Sequence, residues 1–223
     1  MKKFAISDIH GCYNTFIALL SKVNFTKNDQ LFLLGDYINR GPKSKEVVDY
    51  IMTLQQDGYN IVALKGNHEE MIFDSLDLGN WTDGEPETLD SFGVKHLRYL
   101  DKKYLSWLKN LKPYYVDNDF VMVHAGLNFQ YQNPLEDTQS IAWITNWHKT
   151  INYKWLDNKI IVHGHQPQTN TAIKKMLKTI KTKQVINIDN GCHIRNQAGF
   201  GSLCCFELTE QVLTFQENID YDI

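Results

Sequence analysis

Short apolar runs that stop at a polar residue beside a glycine constrain this chain more than any other feature. Lys3 to Ser7 (KFAIS) runs into Asp8-Ile9-His10-Gly11, and Gln30 to Leu34 (QLFLL) into Gly35-Asp36. Asn60 to Leu64 (NIVAL) feeds Gly66-Asn67-His68-Glu69. Further on, FVMV stops at His124-Ala125-Gly126 and KIIV at His163-Gly164-His165. Runs this short, without helical periodicity, read as buried strands. Helical patterns separate the first three: Tyr13, Phe16, Ile17, Leu20 and Val23 share one helix face, and Val47, Val48, Ile51 and Leu54 another. Ser44 suits the N-cap of the second helix and Gly58 its stop. This βαβαβ opening calls for parallel strands and an α/β architecture.

The rest of the chain changes character. Residues 71–115 are helical in pattern, with a turn-prone LGNWTDGEPE, and are expected to form an excursion above the sheet within a single domain, 1–223. Strands follow at YYVD, FVMVHAG, KIIVH and QVINID, then a hairpin of SLCCFEL and QVLTFQ through Thr209-Glu210. An α/β start with an antiparallel end implies two packed mixed sheets flanked by helices. With 43% hydrophobic residues the chain can bury a core without needing a disulfide or a metal to fold. Trp143, Trp147 and Trp155 are expected in that core.

A formal charge of −3 argues against a nucleic-acid or anionic-membrane partner. No apolar run approaches the ~20 residues of a membrane span, and MKKFAISDIH reaches Asp8 before a signal-peptide core could form. The expectation is a cytoplasmic protein. Cys12, Cys192, Cys204 and Cys205 form no CxxC pair and are read as reduced, with Cys204 and Cys205 on opposite strand faces. Lys174, Lys175, Lys178, Lys181 and Lys183 make either a solvated face or a patch that steers a polyanion.

Strand carboxyl ends are where open α/β sheets place their sites. Carboxylate, imidazole and amide oxygen together suit divalent manganese, iron or zinc. Asp36, with two carboxylate oxygens, is placed to bridge two ions. Two ions ~3.5–4 Å apart activate a hydroxide and clamp a phosphoryl group.

DIHGC, GDYINRGP, LKGNHEEM, MVHAG and HGHQP, in that order, resemble the PPP-type metallophosphoesterases, which include bacterial serine/threonine protein phosphatases and symmetrical diadenosine tetraphosphate hydrolases. The resemblance runs from Lys3 to about Gly191. It implies a calcineurin-like sandwich and two divalent metals, manganese first, with iron, zinc or magnesium as alternatives. By position it implies Asp8, His10 and Asp36 on one metal, and Asp36, Asn67, His124 and His165 on the other, with a bridging hydroxide attacking phosphorus. His165 rather than His163 aligns as the ligand. Arg40 and Asn67 would hold phosphate, and His68 would protonate the departing oxygen. Glu69 and Glu70 are expected to favour the N-terminus of the following helix.

Two positions depart from the family. Where the protein phosphatases carry an aspartate paired with the histidine of GNHE, this chain has Asn39. An amide there can accept a hydrogen bond from His68 but brings no charge, so the imidazolium is less favoured. The diadenosine tetraphosphate hydrolases typically have alanine there, and their nucleotide leaving group needs little protonation. The arginine that many bacterial members carry near AWITNWHKT is missing, replaced by Thr145 and Asn146. Arg195, after NIDNGC, is a candidate substitute for phosphate, or else a solvated loop residue; Arg98 is a weaker candidate. The first expectation is a phosphatase acting on phosphorylated protein or peptide. The alternatives are a nucleotide-polyphosphate hydrolase and a non-catalytic phosphate-binding scaffold.

Overall fold

The computed structural model describes residues 1–78 and 85–221, so most of LGNWTDGEPE lies outside the described residues. The elements run β1 (Lys3–Ile6), α1 (Tyr13–Lys22), β2 (Gln30–Leu33), α2 (Ser44–Gln56), β3 (Asn60–Ala63) and α3 (Asn67–Leu78). Then come α4 (Glu85–Phe92), α5 (Lys102–Lys109), β4 (Tyr114–Val116), β5 (Phe120–Val123), α6 (Thr138–Trp143), α7 (Tyr153–Leu156) and β6 (Ile160–His163). The chain closes with α8 (Asn170–Lys178), α9 (Ile180–Lys183), β7 (Val185–Asn187), β8 (Ser202–Glu207) and β9 (Val212–Glu217). One sheet has the order β3-β2-β1-β8-β9 and the other β4-β5-β6-β7. The first three strands pair in parallel, as do β5, β6 and β7; β8, β9 and β4 add the antiparallel pairs. Both sheets are mixed, as the α/β start and hairpin end require.

The strands are apolar on both faces because each sheet is covered on both sides. Phe4, Ile6, Leu31, Leu33 and Cys205 face a cluster completed by Phe16 and Leu19 of α1 and Val48 and Ile51 of α2. Ala5, Phe32, Cys204 and Phe206 point the other way and meet Met122, Val162 and Ile186 of the second sheet. The adjacent cysteines thus divide between the two layers, and all four cysteines are free and buried. Beyond the second sheet, Val121, Val123 and Ile161 pack on Trp147 and Leu156.

The 71–115 segment is an excursion over the first sheet: Ile72, Leu97, Leu100, Tyr104 and Leu108 join the α1–α2 cluster. It is not helical throughout, since Tyr114 and Tyr115 belong to β4, paired with β5. Two local expectations also change. Ser44 is the first residue of α2 rather than its cap; its hydroxyl turns inward to accept the Asn39 N–H at 3.1 Å. Gly58 does end that helix, at φ 82°, with Tyr59 N–H returning to the Leu54 carbonyl. Trp147 is buried and Trp155 partly so, but Trp143 is 39% exposed and lies outside the core. No described helix is long and apolar enough to cross a membrane.

The inter-sheet layer carries the largest loss on truncation. Phe206→Ala, at a fully buried side chain, should cost about 3–5 kcal/mol in urea unfolding. Val212→Ala, on the exposed edge of β9, should stay within about 0.5 kcal/mol.

Candidate metal centre

The carboxyl ends of β1, β2, β3, β5, β6 and β7 all open on one side, and the first two are tied beyond the strands. Asp8, His10 and Gly11 donate their N–H groups to the carbonyls of Gly35, Asp36 and Tyr37 at 3.3, 2.8 and 2.8 Å. The ladder therefore continues through residues that no longer have strand geometry. Asp8, His10, Asp36, Asn39, Arg40 and His165 have φ between 47° and 71°. Left-handed backbone at so many non-glycine residues costs energy and persists only where the surroundings over-determine it. Glycine permits the close packing: a Cβ on Gly66 would lie 2.1 Å from an Asp36 oxygen, and one on Gly164 2.0 Å from an Asp8 oxygen.

Glu69 supplies much of that determination. Its carboxylate is fully buried and accepts three backbone N–H groups, from Asp36 and Tyr37 at 2.8 Å and from Gly66 at 2.9 Å. It does not merely face a helix terminus, as its position in the sequence suggested; it fastens the loop after β2 to the loop after β3. Glu70 turns outward and takes the Trp143 indole N–H at 2.8 Å.

Asp36 lies at the centre. Its Oδ2 is 3.6 Å from His10 Nε2, 3.4 Å from His124 Nε2 and 3.9 Å from His68 Nε2. The tautomers of two of these rings follow from their other nitrogens. His10 Nδ1 meets the Ile38 carbonyl at 3.0 Å and His124 Nδ1 the Leu34 carbonyl at 2.9 Å. A carbonyl accepts only, so each Nδ1 carries the proton and each Nε2 presents a bare lone pair to the Asp36 carboxylate. Asn67 Oδ1 adds another acceptor, 2.9 Å from His124 Nε2 and 3.0 Å from His165 Nδ1. Lone pairs gathered on one point repel unless a cation lies between them, and this donor set fits divalent ions.

Among the described residues two groups have donor atoms within 4.8 Å of one another: His10, Asp36 and His68, and Asp36, His124 and His165. Asp8, expected beside His10, stands outside both. The His165 N–H is shared between its two oxygens at 3.1 Å, which turns the carboxylate toward the loop after β6. His163 stays apart; its Nε2 pairs with His148 Nε2 at 2.8 Å beside Trp147.

A cavity of about 250 Å³ opens over these residues, lined by His10, Asp36, Arg40, Asn67, His68 and His165, together with Asp189 and His193. Asp189 and His193 belong to the NIDNGCH segment that leaves β7, where the sequence singled out only Arg195 as a candidate. A larger depression of about 500 Å³, near Lys3 and Leu208, is lined by no histidine. Arg195 lies outside the cavity lining, its guanidinium stacked 3.4 Å over Tyr221, whose hydroxyl donates to the Arg40 carbonyl. Arg98 stacks on Tyr99. Thr145 and Asn146 are exposed.

Burial gives the site a charge deficit. It raises Asp36 and Asp189 to about 7, and raises Asp8 well above the carboxylate range with help from the charges of Asp189 and Asp36. The imidazoles move oppositely: burial lowers His124 and His165 to about 4, and burial followed by the Arg40 charge lowers His68 to about 3.

A family profile described as calcineurin-like phosphoesterase matches residues 1–190. The symmetrical bis(5'-nucleosyl)-tetraphosphatase of Buchnera aphidicola is 35% identical over 133 residues, 57% of this chain and 44% of that protein. The Vibrio parahaemolyticus protein of the same name is 36% identical over 134 residues, 59% of this chain and 47% of its own. The chain thus aligns with less than half the length of each relative. In fold, it resembles a serine/threonine phosphatase from Saccharomyces cerevisiae, with TM-score 0.71 and 13% identity over 100% of this chain and 81% of that one. A metallophosphoesterase from Sphaerobacter thermophilus gives 0.61 and 21%, over 100% and 90%.

Metal content should separate the two neighbouring histidines. Asp36→Ala and His165→Ala are expected to lose bound manganese by elemental analysis, whereas His163→Ala should retain the wild-type stoichiometry; the reverse pattern would misplace the centre. Protons compete for Asp36 below its pKa of about 7, while the histidines, already neutral, do not compete there. Apparent metal affinity should therefore fall as pH drops through about 7, by roughly tenfold per unit for each proton displaced. Calorimetry reads both the affinity and the released proton.

Proposed function

The chain belongs to the calcineurin-like phosphoesterase family, and on that footing we propose that it hydrolyses phosphoanhydride bonds of nucleoside polyphosphates in preference to phosphoprotein esters. One observation carries the preference: the ring of His68, the group placed to donate a proton, is held by an amide. Asn39 Nδ2 lies 2.9 Å from His68 Nδ1. Among the described residues no carboxylate meets Nδ1, the nitrogen Asn39 holds, and burial and Arg40 oppose a charged imidazolium. A nucleotide phosphate leaves as a weak base and needs little help; a serine alkoxide needs much more. The relatives named above are tetraphosphatases, which supports the same choice over the phosphoprotein reading first drawn from the sequence.

In this reading Asp8, His10, Asp36, Asn67, His124 and His165 hold two divalent ions, manganese first. When bound, those ions supply Lewis-acid charge and lower the pKa of coordinated water. The remaining steps belong to the chain. Arg40, lining the cavity beside His68, offers a forked cation to the phosphoryl oxygens. Asn67, on the first turn of α3, lines the same cavity and would orient them too. His68, with Nδ1 occupied by Asn39, presents Nε2 to the cavity and hydrogen-bonds the departing oxygen. Asp189, His193 and Pro167 complete the wall.

With manganese, kcat/KM for a dinucleoside tetraphosphate should exceed that for a phosphoserine peptide by at least about tenfold; the opposite order would favour the protein-phosphatase reading. Introducing the acid tests its cause. Asn39→Asp should raise turnover of an alkyl phosphate by about tenfold or more, since general-acid assistance contributes roughly 10²–10⁴-fold, and should leave the dinucleotide rate little changed. Equal changes on both substrates would mean that position 39 acts through loop geometry.

A further inference from the structure

The Asn39 side chain does more than replace a charge, because a residue outside the cavity fixes which way its amide points. Thr88, in α4 of the helical excursion, is fully buried, and its hydroxyl lies against the loop after β2. Its Oγ1 accepts the Asn39 backbone N–H at 3.0 Å and lies 2.5 Å from Asn39 Oδ1. A separation of 2.5 Å suits O–H···O and is too short for N–H···O, whose range begins near 2.7 Å. The hydroxyl has one hydrogen, and this contact uses it. The atom facing Thr88 is therefore the amide oxygen, and the amide nitrogen faces His68 Nδ1 at 2.9 Å. Ser44 Oγ, 3.1 Å from the Asn39 N–H and 3.3 Å from Thr88 Oγ1, supports the same hydroxyl from the other side.

An amide nitrogen only donates, so His68 Nδ1 must accept. We propose that Thr88 is a positioning residue that, through Asn39, holds His68 as the neutral Nε2–H tautomer. The proton a leaving oxygen would need then resides on the nitrogen facing the cavity. Asn39 was expected to accept from His68; the order of donors is the reverse. Thr88 Oγ1–H donates to Asn39 Oδ1, Asn39 Nδ2–H donates to His68 Nδ1, and His68 Nε2–H is directed at the cavity. A flipped amide would accept from Nδ1–H and leave Nε2 as a bare lone pair, useless for donation. The inference deepens the role given to His68 in the proposed function.

Nitrogen chemical shifts of the imidazole distinguish the tautomers without any turnover. The full chain, labelled with ¹⁵N-histidine in magnesium buffer at neutral pH, would be compared with His68→Gln to assign the ring. Wild type should show a protonated Nε2 and an accepting Nδ1. Thr88→Val, which keeps the shape and removes the hydroxyl, should lose part of that signal set to the Nδ1–H tautomer, and Thr88→Ser should restore it. If the valine variant fails to fold, Thr88→Ala removes the same hydroxyl without the second methyl. A wild-type Nδ1–H tautomer, or a folded hydroxyl-free variant with the wild-type pattern, would overturn the proposal. A protein that proves inactive on phosphoanhydrides would leave this result standing, so the two readings fail separately.

Discussion

The buried carboxylate of Glu69 is the constraint on which the site depends. Strands β2 and β3 end side by side, but nothing in a parallel ladder forces the loops beyond them to stay together. By collecting the N–H groups of Asp36, Tyr37 and Gly66, one acceptor closes both loops at once. Burial, then the Asp36 charge, raises Glu69 to about 8, so each bond is credited with the ordinary contribution of about 0.5–1.5 kcal/mol, together enough to offset a strained residue or two. Asp36 is held at φ 56° directly under that clamp. With the Asp8–Gly11 loop bonded across to Gly35–Tyr37, three of the ligand-bearing turns form one rigid unit. The turns after β5 and β6 then need only approach it, and the Gly164 N–H bonded to the His124 carbonyl at 2.8 Å brings them in together.

What this frame gathers is electrostatically incomplete. Burial raises the proton affinity of Asp8, Asp36 and Asp189, the charge of Asp36 adds to that of Asp8 and Asp189, and burial presses the imidazoles around them toward neutrality. Carbonyl bonds at Ile38 and Leu34 then aim bare nitrogens of His10 and His124 at the same carboxylate. Such a cluster gathers carboxyl oxygens and bare imidazole nitrogens on one point, which is the condition divalent ions satisfy. Arg40 and His68 line the same cavity: Arg40 carries positive charge, and burial, then that charge, keeps His68 from taking a proton. In the proposed function the same residues would bind an anion and assist a leaving group only weakly, a pairing suited to polyphosphate.

Much of this was legible because the chemistry lies at strand ends, where local spacing and three-dimensional position coincide. DIHG, GD, GNH and HGH each sit one or two residues past an apolar run, so convergence followed from parallel topology alone. The two mixed sheets followed equally from the βαβαβ start and the β8–β9 hairpin. Glu69 was misread because its sequence neighbourhood, the first turn of a helix, offers a sufficient local reason for an acid. Its actual partners Asp36 and Tyr37 are more than thirty positions away. Thr88 had no signal at all, following the acidic stretch DGEPE in the sequence, and only the packing of α4 on α2 brings it to Asn39. Trp143 was placed in the core by composition, yet its indole N–H needs Glu70, which keeps it at the rim. Asp8 matched its motif, but the competing His165 N–H could be seen only once the two loops were side by side.

In the proposed centre these turns hold two ions that share Asp36. Anomalous diffraction at the manganese edge, from crystals grown with manganese, tests it most directly. Two peaks roughly 3.5–4 Å apart should flank Asp36, one toward His10 and the other toward Asn67, His124 and His165. A single peak, or one centred between His148 and His163, would contradict it.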